Sequence, residues 1–228
     1  MSEIKETAAT QEAPIHRSKI LIALAKVASY VFHPVFMPTV MAYVLFMLSH
    51  DTGFAGVTDK AFKMWLLIIA INTLFFPLLT ILLLKGLGFL NSIQMKESKD
   101  RIIPLIACMI FYFWANHALG SNPEVHIPLI LHTLTLGSFW GIIVIFMVSI
   151  FYKVSMHSAA AGGMIGILLV LMFTSNVNMV FPFFVALFIA GLIGTARMIL
   201  KAHQIWEVWI GYVLGILVQV AAYFYLAP

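Results

Sequence analysis

Charged side chains are scarce in this sequence, and their scarcity excludes more than any other feature. Only 13 Lys and Arg and nine Asp and Glu occur in 228 residues, which is 10%. A soluble domain keeps about 25% of such residues at its wetted surface, so a soluble α/β domain is ruled out. Cysteine is almost missing. The single one, Cys108, lies inside an apolar run, has no partner for an intrachain disulfide and cannot form part of a thiolate metal set. No Gly-rich stretch has the spacing of a nucleotide loop. The first 19 residues, Met1 to Lys19, lack the apolar core of a signal peptide. They read as a disordered polar tail, which leaves 20–228 as one membrane-embedded helical domain.

Apolar sequence is what the chain has in abundance, at 62% of residues. A helix that crosses the hydrocarbon needs about 20 apolar residues. Polar breaks divide the chain into seven such stretches, at 30–49, 62–85, 102–119, 127–152, 157–174, 179–200 and 206–226. The expected fold is an all-α polytopic membrane bundle of about seven transmembrane helices, with six also compatible. The segment from Lys19 to Tyr30 carries Lys26 and is too short to cross alone. It is expected in the interface or as the extension of a tilted helix, with Pro34 and Pro38 bending the junction. Small residues crowd the fifth span (Ala159 to Gly163, and Gly166), the sixth (Gly191, Gly194) and the seventh (Gly211, Gly215). Small residues let transmembrane backbones approach closely, which predicts that these three spans touch.

Counting crossings sorts the charges by side. Eleven of the 13 basic residues fall with the N-terminal tail, the 86–101 loop and the junctions near 152–157 and 197–207, against Lys60 and Lys63 on the opposite side. The positive-inside rule makes the rich side cytoplasmic, so an integral, multi-pass protein of the plasma (inner) membrane is expected. The basic residues hug membrane edges, so the pI near 9.2 does not call for a nucleic-acid partner. Topology accounts for Lys85, Lys153 and Lys201. It accounts less well for Arg101, His157, Arg197, His203 and Glu207, which adjoin apolar sequence, where an ionisable group is costly. Two histidines, several cations and one carboxylate suit phosphoryl chemistry: cations hold phosphate oxygens, one histidine attacks phosphorus and another protonates the leaving oxygen. Glu207 follows His203 by four residues, which on a helix sets the carboxylate beside the imidazole.

Those residues carry a resemblance. Ala196-Arg197, five residues, His203, three residues, Glu207 and then Val-Trp-Ile-Gly211 resembles the third signature of the type 2 phosphatidic acid phosphatase superfamily, Ser-Arg-x5-His-x3-Asp. Val154-Ser155-Met156-His157-Ser158 resembles its second, Pro-Ser-Gly-His, with Val and Met in place of Pro and Gly. Lys96 to Pro104 loosely resembles its first, Lys-x6-Arg-Pro. The resemblance implies a lipid phosphatase that hydrolyses a lipid phosphate or pyrophosphate monoester through a phosphohistidine. His203 would be the nucleophile, Glu207 its orienting acid and His157 the proton donor. Arg197, Arg101, Ser155, Lys96 and Lys99 would bind phosphate, with no metal and no cofactor. The expected partners are a lipid phosphate substrate and the bilayer. The alternative is a membrane protein that binds or transports a lipid phosphate without turnover. His33, His50, His117, His126 and His132 are scattered and are assigned structural or interfacial roles, although His33, before Pro34 near the motif side, could line the site. His126 and His132 have no Glu, Asp or Cys at ligand spacing, so no metal site is expected.

Overall fold

The computed structural model describes residues 18–50, 53–89, 98–121 and 127–227. Among them there is no strand, and seven helical stretches are long and apolar enough to cross a membrane. The protein is a multi-pass, all-α membrane bundle. Its helices are α1 (Lys19–Val31), α2 (Met37–Ser49), α3 (Asp59–Ala70), α4 (Phe76–Gly86), α5 (Ser98–Gly120), α6 (Leu129–Phe151), α7 (Met156–Thr174), α8 (Val180–Ile199) and α9 (Ile205–Leu226).

Two of the seven spans are interrupted, each at a proline. Lys19–Ser49 form one interrupted helical stretch, so α1 extends the first span, which is the second of the two expectations for it, and Pro34 and Pro38 stand at the junction. A residue before proline is pushed out of the helical region, and His33 sits at φ −67°, ψ 138°. Pro34–Phe36 then form a 3-10 turn, and α2 restarts with Pro38 in its first turn, where no backbone donor is needed. In the second span, Ile71–Phe75 form a π-helical turn between α3 and α4. Pro77 follows it and has no N–H to give to the turn behind, so the ladder widens there. Asn72 Nδ2 donates to the Ile68 carbonyl at 2.9 Å, and the Thr73 hydroxyl meets that of Thr39 on α2 at 3.2 Å.

α7 is the central helix: 61% of its spanning window is buried, against 22–39% for the others. On one side its Ala161 and Ile165 pack with Ala190 and Ile193 of α8. On an adjacent side lies α9, and the contact is backbone to backbone. Ser155 and Ser158 face Gly211, and a Cβ on Gly211 would lie 2.8 Å from the Ser155 carbonyl oxygen. Gly162 faces the Tyr212 carbonyl, and Gly215 faces that of Ala159. One turn further, a Cβ on Gly166 would lie 2.9 Å from the Ile216 Cα. The pairings advance together along both chains, so α7 and α9 run parallel and begin at the same face. Lipid is as apolar as leucine, so association of the two helices rests on this close packing and not on apolar burial. α8 meets α9 where Tyr212 donates its hydroxyl proton to the Ala190 carbonyl and Val208 lies beside Gly194.

Candidate functional site

The face where α7 and α9 begin is also where α8 ends and α5 begins. Ser155 caps α7 by accepting from the Ser158 amide at 3.3 Å, and its hydroxyl also accepts from Ser158 Oγ at 2.9 Å. That side chain is fully buried. Its backbone amide donates to the Glu207 carbonyl at 3.3 Å, which stitches the start of α7 to the start of α9. α8 closes with Ala202 N–H on the Arg197 carbonyl, and Lys201 takes a left-handed conformation at φ 51°. The chain then turns back through His203 into α9.

His203 is 8% exposed, and its Nδ1 lies 2.7 Å from Glu207 Oε2. A carboxylate oxygen only accepts, so Nδ1 carries the proton and Nε2 keeps a lone pair. The same Oε2 accepts from the Gln204 amide at 3.2 Å, and the Gln204 side chain completes a capping box over the first turn of α9. Glu207 is therefore fixed by its helix before it fixes the imidazole. Burial pushes His203 well below its ordinary value of 6.5; Arg197 and Arg101 add to this, and Glu207 opposes it. The ring is neutral at physiological pH.

Arg197, in the last turn of α8, donates Nη1–H to Ser29 Oγ at 3.4 Å, while its buried Nε has no partner. Arg101 is 7% exposed, and its charge acts on both Arg197 and His203. It stands near the N-terminus of α5, the positive end of that helix, where a cation is disfavoured. Among the described side chains, the site thus holds the buried Arg101, the half-buried Arg197 and the Glu207 carboxylate. The N-termini of α5, α7 and α9, which favour anions through their free amides and dipoles, lie on the same face. A buried charged donor left without an acceptor costs more than the roughly 1–3 kcal/mol of a neutral one. An anion would relieve all of these at once.

His157 is the second residue of α7. Its Nε2 lies 3.1 Å from the Ser29 carbonyl oxygen, so that nitrogen carries the proton. The charges of Arg197, His33 and His203 all act on it. His33 stacks edge-on against it with ring centroids 5.2 Å apart. His33 Nδ1 accepts from the Val35 amide at 3.4 Å, which leaves the proton on Nε2. The structure therefore brings His157, Arg197, Arg101, His203 and Glu207 together, with Ser155 directly beneath in a capping role. Lys96 lies outside the described residues, and only the backbone of Lys99, in the first turn of α5, is described. His33, given a structural role from the sequence although its place before Pro34 set it near the motif side, stands against His157. Ser29 had no signal in the sequence; it contributes its carbonyl to His157 and its hydroxyl to Arg197. Among the described residues, no three His, Cys, Asp or Glu are grouped to hold a metal ion. No protein-family model, curated protein or solved structure matches the chain.

Proposed function

We propose that this protein is a membrane lipid phosphatase that hydrolyses a lipid phosphate or pyrophosphate monoester through a phosphohistidine on His203, a divergent relative of the type 2 phosphatidic acid phosphatases. The observation that carries the reading is the His203–Glu207 pair, with a lone pair left on Nε2, beside the buried Arg101 and the half-buried Arg197, whose Nε is buried without a partner. Nε2 attacks phosphorus, the bond to the lipid oxygen breaks, and that oxygen takes a proton. Water then attacks the phosphohistidine and regenerates the imidazole. Arg197 and Arg101 neutralise the phosphate oxygens throughout, with no step that needs a redox change. A headgroup reaches this face by lateral diffusion while its chain stays in the bilayer.

His157 is assigned the leaving-group proton. Its Nε2–H is held by the Ser29 carbonyl, so donation requires the leaving oxygen to displace that carbonyl. The same occupancy favours the second reading, a protein that binds a lipid phosphate without turnover, because a committed proton donor is a poor acid. Phosphate release from several lipid phosphates by the purified chain in detergent separates the two. His203→Ala is expected to abolish release. Equal release by wild type and His203→Ala would sink the enzyme. Binding of lipid phosphate without release, lost in Arg197→Ala, would install the binder.

A further inference from the structure

A cavity of about 120 Å³ opens among the helices beneath the charged cluster. Its lining starts next to a site residue on each of three elements. On the first span it runs from Pro34, beside His33, to Met41. On α5 it runs from Leu105, one turn below Arg101, to Tyr112. On α7 it runs from Met156, beside His157, to Met164. At about 1.5 Å per residue these stretches are roughly 10–12 Å long, over a third of the ~30 Å hydrocarbon core. The antiparallel α6 shows the same limit from the other side, where the lining stops at Leu134. On α9 it stops at Gln219.

Gln219 is the one amide in a mostly apolar wall, whose other polar side chains are the hydroxyls of Ser138 and Tyr112. It is 3% exposed, and its Oε1 is buried with no hydrogen-bond partner. Its amide occupies a notch made by a missing side chain: a Cβ on Gly137 would lie 2.7 Å from its Cδ. The bundle thus gives up a side chain on α6 to keep an amide whose oxygen bonds nothing. A cavity of roughly 150 Å³ with apolar walls holds one benzene, so this one has the volume for part of a single hydrocarbon chain and not for two.

We propose that the cavity seats one hydrocarbon chain of the lipid phosphate, and that Gln219 sets the depth to which the chain is held. The inference rests on the phosphatase reading and narrows its substrate to single-chain alkyl or prenyl phosphates. Methylenes between the charged cluster and Gln219 gain packing against apolar walls. A chain that continues past Gln219 must push the side chain out of its notch against Gly137, which cancels the gain. Longer chains leave sideways into lipid.

The test is a chain-length series of butyl, octyl and tetradecyl phosphate with the full chain in detergent. In wild type, kcat/KM is expected to rise from butyl to octyl and then level. Gln219→Ala should open the inner end and extend the rise to tetradecyl by roughly tenfold, the scale of two added methylene contacts. Gly141→Val lines the same cavity, and Gly141 has room for a Cβ, 3.5 Å from Val218 Cγ2. It should cut the octyl-to-butyl ratio by roughly tenfold. Ser138→Leu serves the same end if Gly141→Val does not fold. Phosphate release with unchanged ratios in every folded variant would overturn the seat and spare the phosphatase. A two-chain phosphatidate turned over as well as octyl phosphate would overturn the single-chain limit. If wild type releases no phosphate from any ester, a diazirine-bearing octyl phosphate decides. Labelling of α6 and α9 that Gly141→Val removes upholds the seat and fells the enzyme, and labelling that it leaves intact fells both.

Discussion

His203 has both of its nitrogens assigned by neighbours. Glu207 takes the Nδ1 proton at 2.7 Å and leaves Nε2 to act as a base or nucleophile. Burial, with Arg197 and Arg101 behind it, makes the protonated ring unfavourable, while Glu207 works against them. The ring therefore gains its second proton only below the ordinary value of 6.5, and the reactive neutral form persists through mildly acid pH. In a histidine-labelled sample followed by NMR, the His203 titration midpoint is expected below that value, and Glu207→Gln should lower it further by removing the opposing charge. A midpoint at or above 6.5 would contradict the electrostatics. This pair was readable from the sequence, because spacing of four on a helix fixes adjacency. Ser29 was not, because its carbonyl oxygen leaves no trace in residue type and its hydroxyl meets Arg197 only across 168 residues of chain. The relation of His33 to His157 depends on where α1 breaks, and the pair is separated by more than a hundred residues of chain.

At the scale of elements, the seam between α7 and α9 sets the spacing of the two motif histidines. Glycine is needed where one backbone touches another. A methyl at Gly162 would collide with the Tyr212 carbonyl, whereas one at Gly191, on α8, would meet nothing within 4 Å. Gly162→Ala is expected to cost about 1–3 kcal/mol through overpacking, and Gly191→Ala to be neutral or to gain up to ~1 kcal/mol of helix propensity. Thermal unfolding in detergent checks the contrast, and equal melting temperatures would refute it. The small residues of spans five, six and seven marked close approach in advance. They did not say which faces meet: the tightest pairing joins the fifth and seventh spans, while the sixth packs on a neighbouring flank of α7 and touches both. The π turn at Ile71–Phe75 was also hidden, since Pro77 signals a disturbance but not its form.

For the molecule as a whole, the bilayer made the seven crossings easy to read, because each run of apolar residues must satisfy its own backbone hydrogen bonds as a helix. The cavity beneath the charged cluster was not readable. Its walls come from five separate spans and use the same residue types as the lipid-facing surface. The seam has one more consequence for the assembled chain. α7 and α9 are held by contacts along their length and by the bond from the Ser155 amide to the Glu207 carbonyl, not by the peptide that joins them through α8. Covalent continuity between Asn176 and Val177, in the short link from α7 to α8, is then dispensable. Two co-expressed polypeptides, one ending at Asn176 and one starting at Val177, are expected to find each other in the membrane and co-purify, as independently inserted helices do. Gly215→Leu in the second piece should keep them apart, and recovery of each fragment alone without that change would show that the chain, and not the seam, holds the two histidines together.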